Sequence, residues 1–152
     1  MKRLFLVRHG SYGDDDRLSD YGREQIAKLA EKIKPLLNGK KPIVLASPAD
    51  RALESGEILA KAFGTNAESH EILWTCEGHG FQPDGIIELI KKRADDAEDI
   101  ILISHKEIER FPQLFAKIYL DGAPGIYCLG IEKGNAVMIN CEEKKIGYIS
   151  CN

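Results

Sequence analysis

Three short, uninterrupted apolar runs divide the chain into a repeating pattern. They cover Leu4–Val7, Ile43–Ala46 and Ile100–Ile103, and each is followed by a polar turn and then by apolar residues at helical spacing. Continuous apolar runs are typical of strands that are buried on both faces, as in a parallel sheet covered by helices. The pattern therefore predicts a parallel sheet with helices packed on both sides of it.

Four helices are predicted between and after these strands. The first begins at Ser19, a good N-cap, and ends near Pro35 and Gly39. The second begins with Ser47-Pro48, because a proline after a serine N-cap favours the first helical turn. It ends at Gly64, and the last two helices run from Pro83 to about Ala94 and from Glu107 to about Leu120.

The C-terminal part of the chain has a different pattern, in which short apolar segments are separated by tight turns. Strands are predicted at Ile126–Ile131, Ala136–Asn140 and Ile146–Ser150. Strands that alternate with helices and end in a hairpin indicate the α/β class. We expect one domain over residues 1–152, with three α/β/α layers, a mostly parallel central sheet and a C-terminal antiparallel hairpin.

Composition and charge narrow the possible functions. The chain is 43% hydrophobic and 30% charged, which is typical of a globular domain and disfavours disorder. Its net charge of −3 argues against a nucleic-acid partner bound through bulk charge. No apolar run approaches the roughly 18 residues of a membrane span, and no secretory signal pattern is found. We therefore expect a cytoplasmic protein with no membrane association and with four free cysteines.

Each predicted buried strand ends beside residues that can perform chemistry. Arg8 and His9 end the first, Ser47 and Arg51 follow the second, and His105 follows the third. Ligands of open α/β sheets bind outside the carboxyl ends of the strands, so these side chains should meet at one edge. Two guanidiniums can hold a tetrahedral oxyanion, and a neutral histidine can attack as a nucleophile. A phosphoryl group is the expected ligand.

Four segments along the chain together resemble the histidine phosphatase superfamily, which includes the phosphoglycerate mutases. They read LVRHG at 6–10, LSDYGREQI at 18–26, SPADRALES at 47–55 and SH at 104–105, where the family usually has Gly-His. One such segment alone is weak evidence, but four segments in the right order at strand ends are specific. The resemblance implies a phosphoglycerate mutase-like fold.

Within this family, the chain is most similar to the compact, SixA-like phosphohistidine phosphatases. Mutases usually carry a long insertion between the second arginine and the second histidine, where it caps the site. In this chain the segment between Arg51 and His105 has room only for the rest of a helix, a strand and another helix. A phosphoglycerate-type mutase stays as one alternative, and a non-catalytic module that binds phosphate or a partner is another.

The resemblance also implies roles for individual residues. His9 would attack phosphorus and become a phosphohistidine, Arg8, Arg51 and His105 would bind the phosphoryl oxygens, and water would release phosphate. No metal and no organic cofactor is implied. The expected substrate is a phosphorylated protein, carrying phosphohistidine, or a small phosphomonoester. The sequence leaves the oligomeric state open.

The proton donor for the leaving group is the least specified role. The family often supplies a carboxyl group from the region where Glu77 lies, so Glu77 is the first candidate. Lys106 stands where some members carry an aspartate after the second histidine, which makes Glu107 the next candidate. A phosphohistidine substrate needs less acid help, because imidazole is a better leaving group than an alkoxide.

Three consecutive aspartates, Asp14–Asp16, follow the first motif. A charge run of this kind is usually a solvated loop. The functional alternative is a negative rim that repels small polyanions and favours a basic or protein-borne substrate.

Overall fold

A six-stranded mixed sheet forms the centre of the protein, whose computed structural model describes residues 1–152. Its strands are β1 (Arg3–Arg8), β2 (Ile43–Ala46), β3 (Ala67–Ser69), β4 (Asp99–Ser104), β5 (Ala136–Asn140) and β6 (Lys145–Ile149). The spatial order is β3-β2-β4-β1-β5-β6. The first four strands in this order run parallel to one another, and β5 pairs in an antiparallel manner with both β1 and β6. The predicted mostly parallel sheet with a C-terminal hairpin is confirmed.

Helices cover both faces of the sheet and give it three layers. They are α1 (Asp20–Ile33), α2 (Asp50–Ala62), α3 (Pro83–Arg93) and α4 (Phe111–Tyr119). Side chains alternate across a strand, so β1 contributes to two separate cores. Phe5 and Val7 pack in the cluster that contains the buried faces of α1 and α2, whereas Leu4 and Leu6 pack with those of α3 and α4.

The first helix packs directly against the loop that follows β1. Ser19 is its N-cap, as predicted, and the Ser19 hydroxyl accepts a hydrogen bond from the Gly22 amide at 3.1 Å. A Cβ atom on Gly22 would lie 1.9 Å from the carbonyl oxygen of Ser11, and one on Gly10 would lie 2.7 Å from the carbonyl oxygen of Gly22. Both glycines are therefore required by the close approach of helix and loop.

Two predicted helix starts were wrong. The second helix begins at Asp50, and its N-cap is Ala49 rather than Ser47. The predicted helix from Glu107 is divided into a short 3-10 helix, Lys106–Arg110, and α4. Pro112 explains this division, because proline has no amide hydrogen and is tolerated only in the first turn of a helix.

The predicted strand at Ile126–Ile131 was also wrong, because this segment is an irregular loop. Ile126 and Ile131 are buried, but they anchor the two ends of the loop to the core and have no strand partner between them. Conversely, the three-residue strand β3 was not predicted. It is an edge strand with two of its three residues exposed, so it has no apolar run that would signal it.

All four cysteines are free, as the sequence predicts. Cys151 is buried in the core on the α1 and α2 side of the sheet, while Cys141 is partly buried against the other core. None of the helices is both long enough and apolar enough to cross a membrane.

Candidate active site

The parallel register brings the ends of three strands to one edge of the sheet. β4 lies between β1 and β2, and the chain segments after the strands continue the ladder for one further residue. The His9 amide donates to the carbonyl oxygen of Ser104 at 3.1 Å, and the Ser47 amide donates to that of Ile103 at 3.0 Å. His105 leaves β4 between them. The predicted meeting of the strand ends is therefore observed.

A cavity of about 180 Å³ opens at this edge. All five residues predicted from the sequence line it: Arg8, His9, Arg51, Glu77 and His105. They come from four different parts of the chain, namely the ends of β1 and β4, the first turn of α2 and the loop before α3. The fold thus gathers the whole predicted set into one place.

His9 is held in a fixed orientation by its own loop. Its side chain is buried, and ring atom Nδ1 lies 2.8 Å from the carbonyl oxygen of Gly10. A neutral ring that donates from Nδ1 has its lone pair on Nε2, which accepts from Arg51 Nε at 3.3 Å. Burial, opposed by the hydrogen bond to Gly10 and helped by the positive charges of Arg51, Arg8 and Lys133, lowers the pKa of His9 to about 4. His9 is therefore neutral at pH 7.

His105 lies beside His9, with 5.1 Å between the ring centroids. Its Nε2 atom is 2.8 Å from the hydroxyl oxygen of Ser47, and its Nδ1 atom is 3.5 Å from Arg51 Nη2. Burial lowers the pKa of His105 to about 3, with smaller contributions from His9 and the two arginines. The Ser47 hydroxyl thus contacts the second histidine, and it also accepts a hydrogen bond from the Ala49 amide at 3.3 Å.

Arg51 is the most enclosed charge in the cavity, with only 4% of its side chain exposed. Its Nη2 atom pairs with Glu77, and its Nη1 atom lies 3.7 Å from Asp16 Oδ1. The guanidinium carbon is 4.6 Å from the centre of the Tyr12 ring, a cation–π contact. Burial opposes the charged form of Arg51, but the pKa is raised because the bond to Glu77 and its negative charge outweigh that cost.

Several residues of the sequence motifs hold the His9 loop rather than line the cavity. The Ser55 hydroxyl accepts from the Gly10 amide at 3.1 Å and donates to the Arg51 carbonyl at 2.7 Å. The side chain of Gln25 accepts from the Ser11 amide at 2.9 Å. Two helices, α1 and α2, therefore fix the position of the loop that carries the candidate nucleophile.

Arg8 has an unsatisfied donor beside the cavity. Its Nη1 atom donates to the carbonyl oxygen of Ile131 at 3.2 Å, which ties the loop before β5 to the site. Its Nε atom is buried and has no hydrogen-bond partner in the protein. A buried donor without an acceptor is rare in folded proteins.

The two candidate acids are in different surroundings. Glu77 is half exposed and is paired with Arg51. Glu107 also lines the cavity, and it accepts a hydrogen bond from the Thr75 hydroxyl at 3.1 Å. Thr75 is buried, so it holds Glu107 from the protein side of the cavity.

Three further residues line the cavity that the sequence did not single out: Tyr12, Cys76 and Lys133. The Lys133 ammonium lies 5.1 Å from the Tyr12 ring, on which Arg51 also packs. Tyr12 could have been suspected from its place three residues after His9. Lys133 lies in a predicted turn far along the chain, and nothing in the sequence connects that turn with the site.

Comparison with known protein families identifies the family to which the chain belongs. A sequence profile described as the histidine phosphatase superfamily (branch 1) matches residues 4–99. This range is more than half of the chain and includes His9, Arg51 and Glu77, but it ends before His105. No curated protein sequence matches the chain.

Solved structures with the same fold include several phosphatases. The protein histidine phosphatase SixA complexed with tungstate is 18% identical, with a TM-score of 0.72 over 98% of this chain and 97% of that chain. An Agrobacterium tumefaciens protein assigned as a phosphohistidine phosphatase SixA is 16% identical, with a TM-score of 0.70 over 98% of both chains. A mycobacterial glucosyl-3-phosphoglycerate phosphatase complexed with VO3 is 15% identical, with a TM-score of 0.64 over 99% of this chain and 98% of that chain.

At these identities the structural likeness establishes the fold, and the family assignment follows from the sequence profile. Both agree with the resemblance seen in the four motifs. The chain belongs to the histidine phosphatase superfamily, branch 1, and is a histidine-type phosphatase.

Proposed function

We propose that the protein removes phosphoryl groups through a covalent phosphohistidine formed on His9. One observation carries this proposal. His9 donates from Nδ1 to its own loop, so the lone pair on Nε2 faces the cavity in which two arginines converge. With its pKa lowered to about 4, His9 is in the neutral, nucleophilic form at pH 7 without the help of a base.

Arg8, Arg51 and His105 are the proposed ligands of the phosphoryl oxygens. Arg8 has a buried Nε–H without a protein acceptor, and the Arg51 guanidinium lies next to the nucleophilic nitrogen. When the Ser47 hydroxyl donates to Nε2 of His105, the proton of His105 is on Nδ1, on the side of Arg51. These donors stabilise the charge that spreads over the equatorial oxygens in the transition state, so we infer that no metal ion is needed.

The reaction then has two displacement steps. In the first, the bond from Nε2 of His9 to phosphorus forms while the bond from phosphorus to the leaving group breaks, and the leaving group takes up a proton. In the second, a water oxygen attacks phosphorus and water gives a proton to the carboxylate that acted as the acid, while the Nε2–phosphorus bond breaks and inorganic phosphate leaves. His9 returns to its neutral form, so no other group is consumed.

Glu77 is the proposed donor of the proton in the first step, with Glu107 as the alternative. Both carboxyl groups line the cavity, but Glu77 lies beside Arg51 and Glu107 is held by Thr75. Replacement of the acting group by glutamine should slow alkyl phosphate hydrolysis much more than aryl phosphate hydrolysis, because only an alkoxide needs protonation to leave. Replacement of the other carboxyl should affect both substrates alike.

We propose a phosphohistidine-bearing protein as the substrate, with a small phosphomonoester as the close alternative. The cavity is small and opens at the edge of the sheet, which allows a protein-borne phosphoryl group to reach His9. The structural relatives include enzymes of both kinds, a protein histidine phosphatase and a glucosyl-3-phosphoglycerate phosphatase. Parallel assays with a phosphohistidine protein and with an aryl phosphate, compared by kcat/KM, would decide between them.

Trapping of the intermediate is the direct experiment. The protein is mixed with ³²P-labelled substrate in the presence of a chelator, quenched within milliseconds, and digested for mass spectrometry. We expect an acid-labile, base-stable label on His9 that is absent from the His9→Ala variant. A label on another residue would refute the proposed nucleophile. No release of phosphate from either substrate would instead favour a module that binds phosphate without turnover.

A further inference from the structure

Two acidic side chains from separate loops are directed at the same buried cation. Glu77 pairs with Nη2 of Arg51, and Asp16 Oδ1 lies 3.7 Å from Nη1. Both acids are largely exposed, with 51% and 64% of their side chains accessible, whereas Arg51 is buried. The terminal nitrogens of Arg51 thus already have anionic neighbours, although Arg51 is a proposed ligand of the substrate.

The backbone at both acids has the same uncommon conformation. Asp16 has a φ of 63° and Glu77 has a φ of 55°, in the left-handed region that non-glycine residues rarely occupy. Such conformations cost free energy and tend to occur at functional sites. Glu77 is followed by Gly78 and Gly80, which also have positive φ values and no atoms within 4 Å of an added Cβ. The loop that carries Glu77 therefore has open space around its glycines.

We propose that Glu77 and Asp16 act as internal competitors of phosphate at Arg51. A buried guanidinium needs a counter-charge, and the two carboxylates supply it from the protein. Glu77 occupies one of the two N–H groups of Nη2, and a phosphoryl oxygen that binds this N–H must take the place of the Glu77 oxygen. This proposal rests on the proposed phosphatase function of the site and assigns a further property to it. The competing carboxylates weaken the binding of free phosphate and so favour release of the product.

Asp16 differs in its contacts from Asp14 and Asp15, although the three aspartates are consecutive. Asp14 makes no ion pair, and Asp15 accepts a hydrogen bond from the Arg17 amide within the loop at 3.1 Å. Only Asp16 lies near Arg51. The acidic loop therefore acts on Arg51 through one defined contact.

Equilibrium binding of inorganic phosphate tests this proposal without any catalytic step. Calorimetric titration at pH 7.5 compares the unmodified protein with Glu77→Gln and Asp16→Asn. We expect Glu77→Gln to bind phosphate roughly tenfold more tightly, which corresponds to about 1.4 kcal/mol. Asp16→Asn, at the longer distance, should bind it about twofold to threefold more tightly. The product-inhibition constant of the enzyme should fall by the same factors.

Matched variants separate direct competition from a general effect of charge. Asp14→Asn removes the same charge from the same loop, and Glu132→Gln removes one from the loop that carries Lys133. Neither residue pairs with Arg51, so phosphate affinity should be unchanged in both. Equal tightening in Asp14→Asn and Asp16→Asn would overturn the role of Asp16. Unchanged or weaker binding in Glu77→Gln would overturn the proposal as a whole.

Movement of the loop can be followed independently. Trp74 is the only tryptophan of the chain, and its ring stacks on that of His79, at 4.1 Å, across the loop of Glu77. Saturating phosphate should change the Trp74 fluorescence in the unmodified protein and should not do so in Arg51→Ala. Fluorescence that does not respond to bound phosphate would contradict displacement of Glu77.

The outcomes also separate this inference from the phosphatase proposal. Tighter phosphate binding in Glu77→Gln, together with a lack of turnover in the unmodified protein, would remove the proposed function and leave the competition in place. A phosphoenzyme on His9, together with an unchanged phosphate affinity in Glu77→Gln, would support the proposed function and remove the competition.

Discussion

The two strands β1 and β4 carry an arginine site at each end, and these sites are built in opposite ways. At the amino end, Arg3 and Asp99 are register partners, and Arg3 donates to both carboxylate oxygens at 2.6 and 2.9 Å. The hydrogen bond to Asp99 raises the pKa of Arg3. At the carboxyl end, Arg51 contacts two carboxylates on loops, and Arg8 has a donor without a partner.

The difference shows how a structural cation can be distinguished from one that is available to a ligand. The Asp99 carboxylate is 1% exposed and matches the fork of Arg3, so this pair is complete within the protein. The partners of Arg51 are largely exposed, come from two loops and approach it one oxygen at a time. A bidentate phosphoryl group offers Arg51 what its protein partners do not.

The largest expected effect is at the nucleophile. His9→Ala should lower kcat by about 10⁴ or more, because the covalent route is lost. His70→Ala serves as the control, since His70 lies outside the cavity, and should leave kcat unchanged. Steady-state rates with an aryl phosphate give both values. A loss below tenfold in His9→Ala would mean that His9 is not the nucleophile.

The next largest effect is expected at the opposite end of the sheet, and on stability. Asp99→Asn leaves Arg3 without its counter-charge and should reduce the free energy of unfolding by about 3 kcal/mol. Urea denaturation measures this change. Glu98→Gln, which affects only exposed ion pairs, should change stability little. The activity of folded Asp99→Asn should stay at the level of the unmodified protein. A loss of kcat in the folded variant would contradict a purely structural role of the Arg3–Asp99 pair.

Arg51→Ala tests the same contrast at the carboxyl end of the strands. We expect a loss of about 10² or more in kcat/KM, as for the removal of one donor that stabilises a transition state. Arg51→Lys should restore only part of it, because an ammonium cannot bind two oxygens in the fork geometry. Thermal denaturation should show that Arg51→Ala is destabilised much less than Asp99→Asn. Equal destabilisation would make Arg51 a structural residue.

The last prediction concerns pH and needs no change at the arginine sites. The pKa values of His9 and His105 are lowered from 6.5 to about 4 and about 3, so the unfolded chain binds more protons than the native protein below pH 6.5. The free energy of unfolding should therefore have its full value above pH 6.5. It should decrease as the pH falls toward 4, by about 1.4 kcal/mol per pH unit for each histidine. Urea denaturation between pH 7 and 5 measures the slope, which should be about half as steep in His105→Gln.

Much of the site could be predicted because its main residues are close in sequence to buried strands. An apolar run of four residues locates a strand, and the parallel arrangement places all strand ends at one edge. Arg8, His9 and His105 follow directly from this rule. Arg51 lies in the first turn of the next helix, close enough to the end of β2 to reach the same edge.

The errors occurred where local composition and packing disagree. The segment from Ile126 to Ile131 has the apolar ends of a strand, but β5 occupies the position beside β1, and the segment packs its two end residues into the core as a loop. Ser47 has the features of a helix cap, but its hydroxyl is 2.8 Å from His105. In both cases a residue that is distant in sequence outweighed the local preference.

The sequence by itself determined the class of the fold, the family and five of the ten side chains that line the cavity, since each of these depends on short motifs and on strand ends. Only the tertiary structure decided which acid faces which arginine, that Lys133 joins the site, and that Asp16 differs from Asp14. Those relations depend on the backbone angles of loops and on the packing of segments far apart in the chain, and no local pattern encodes them.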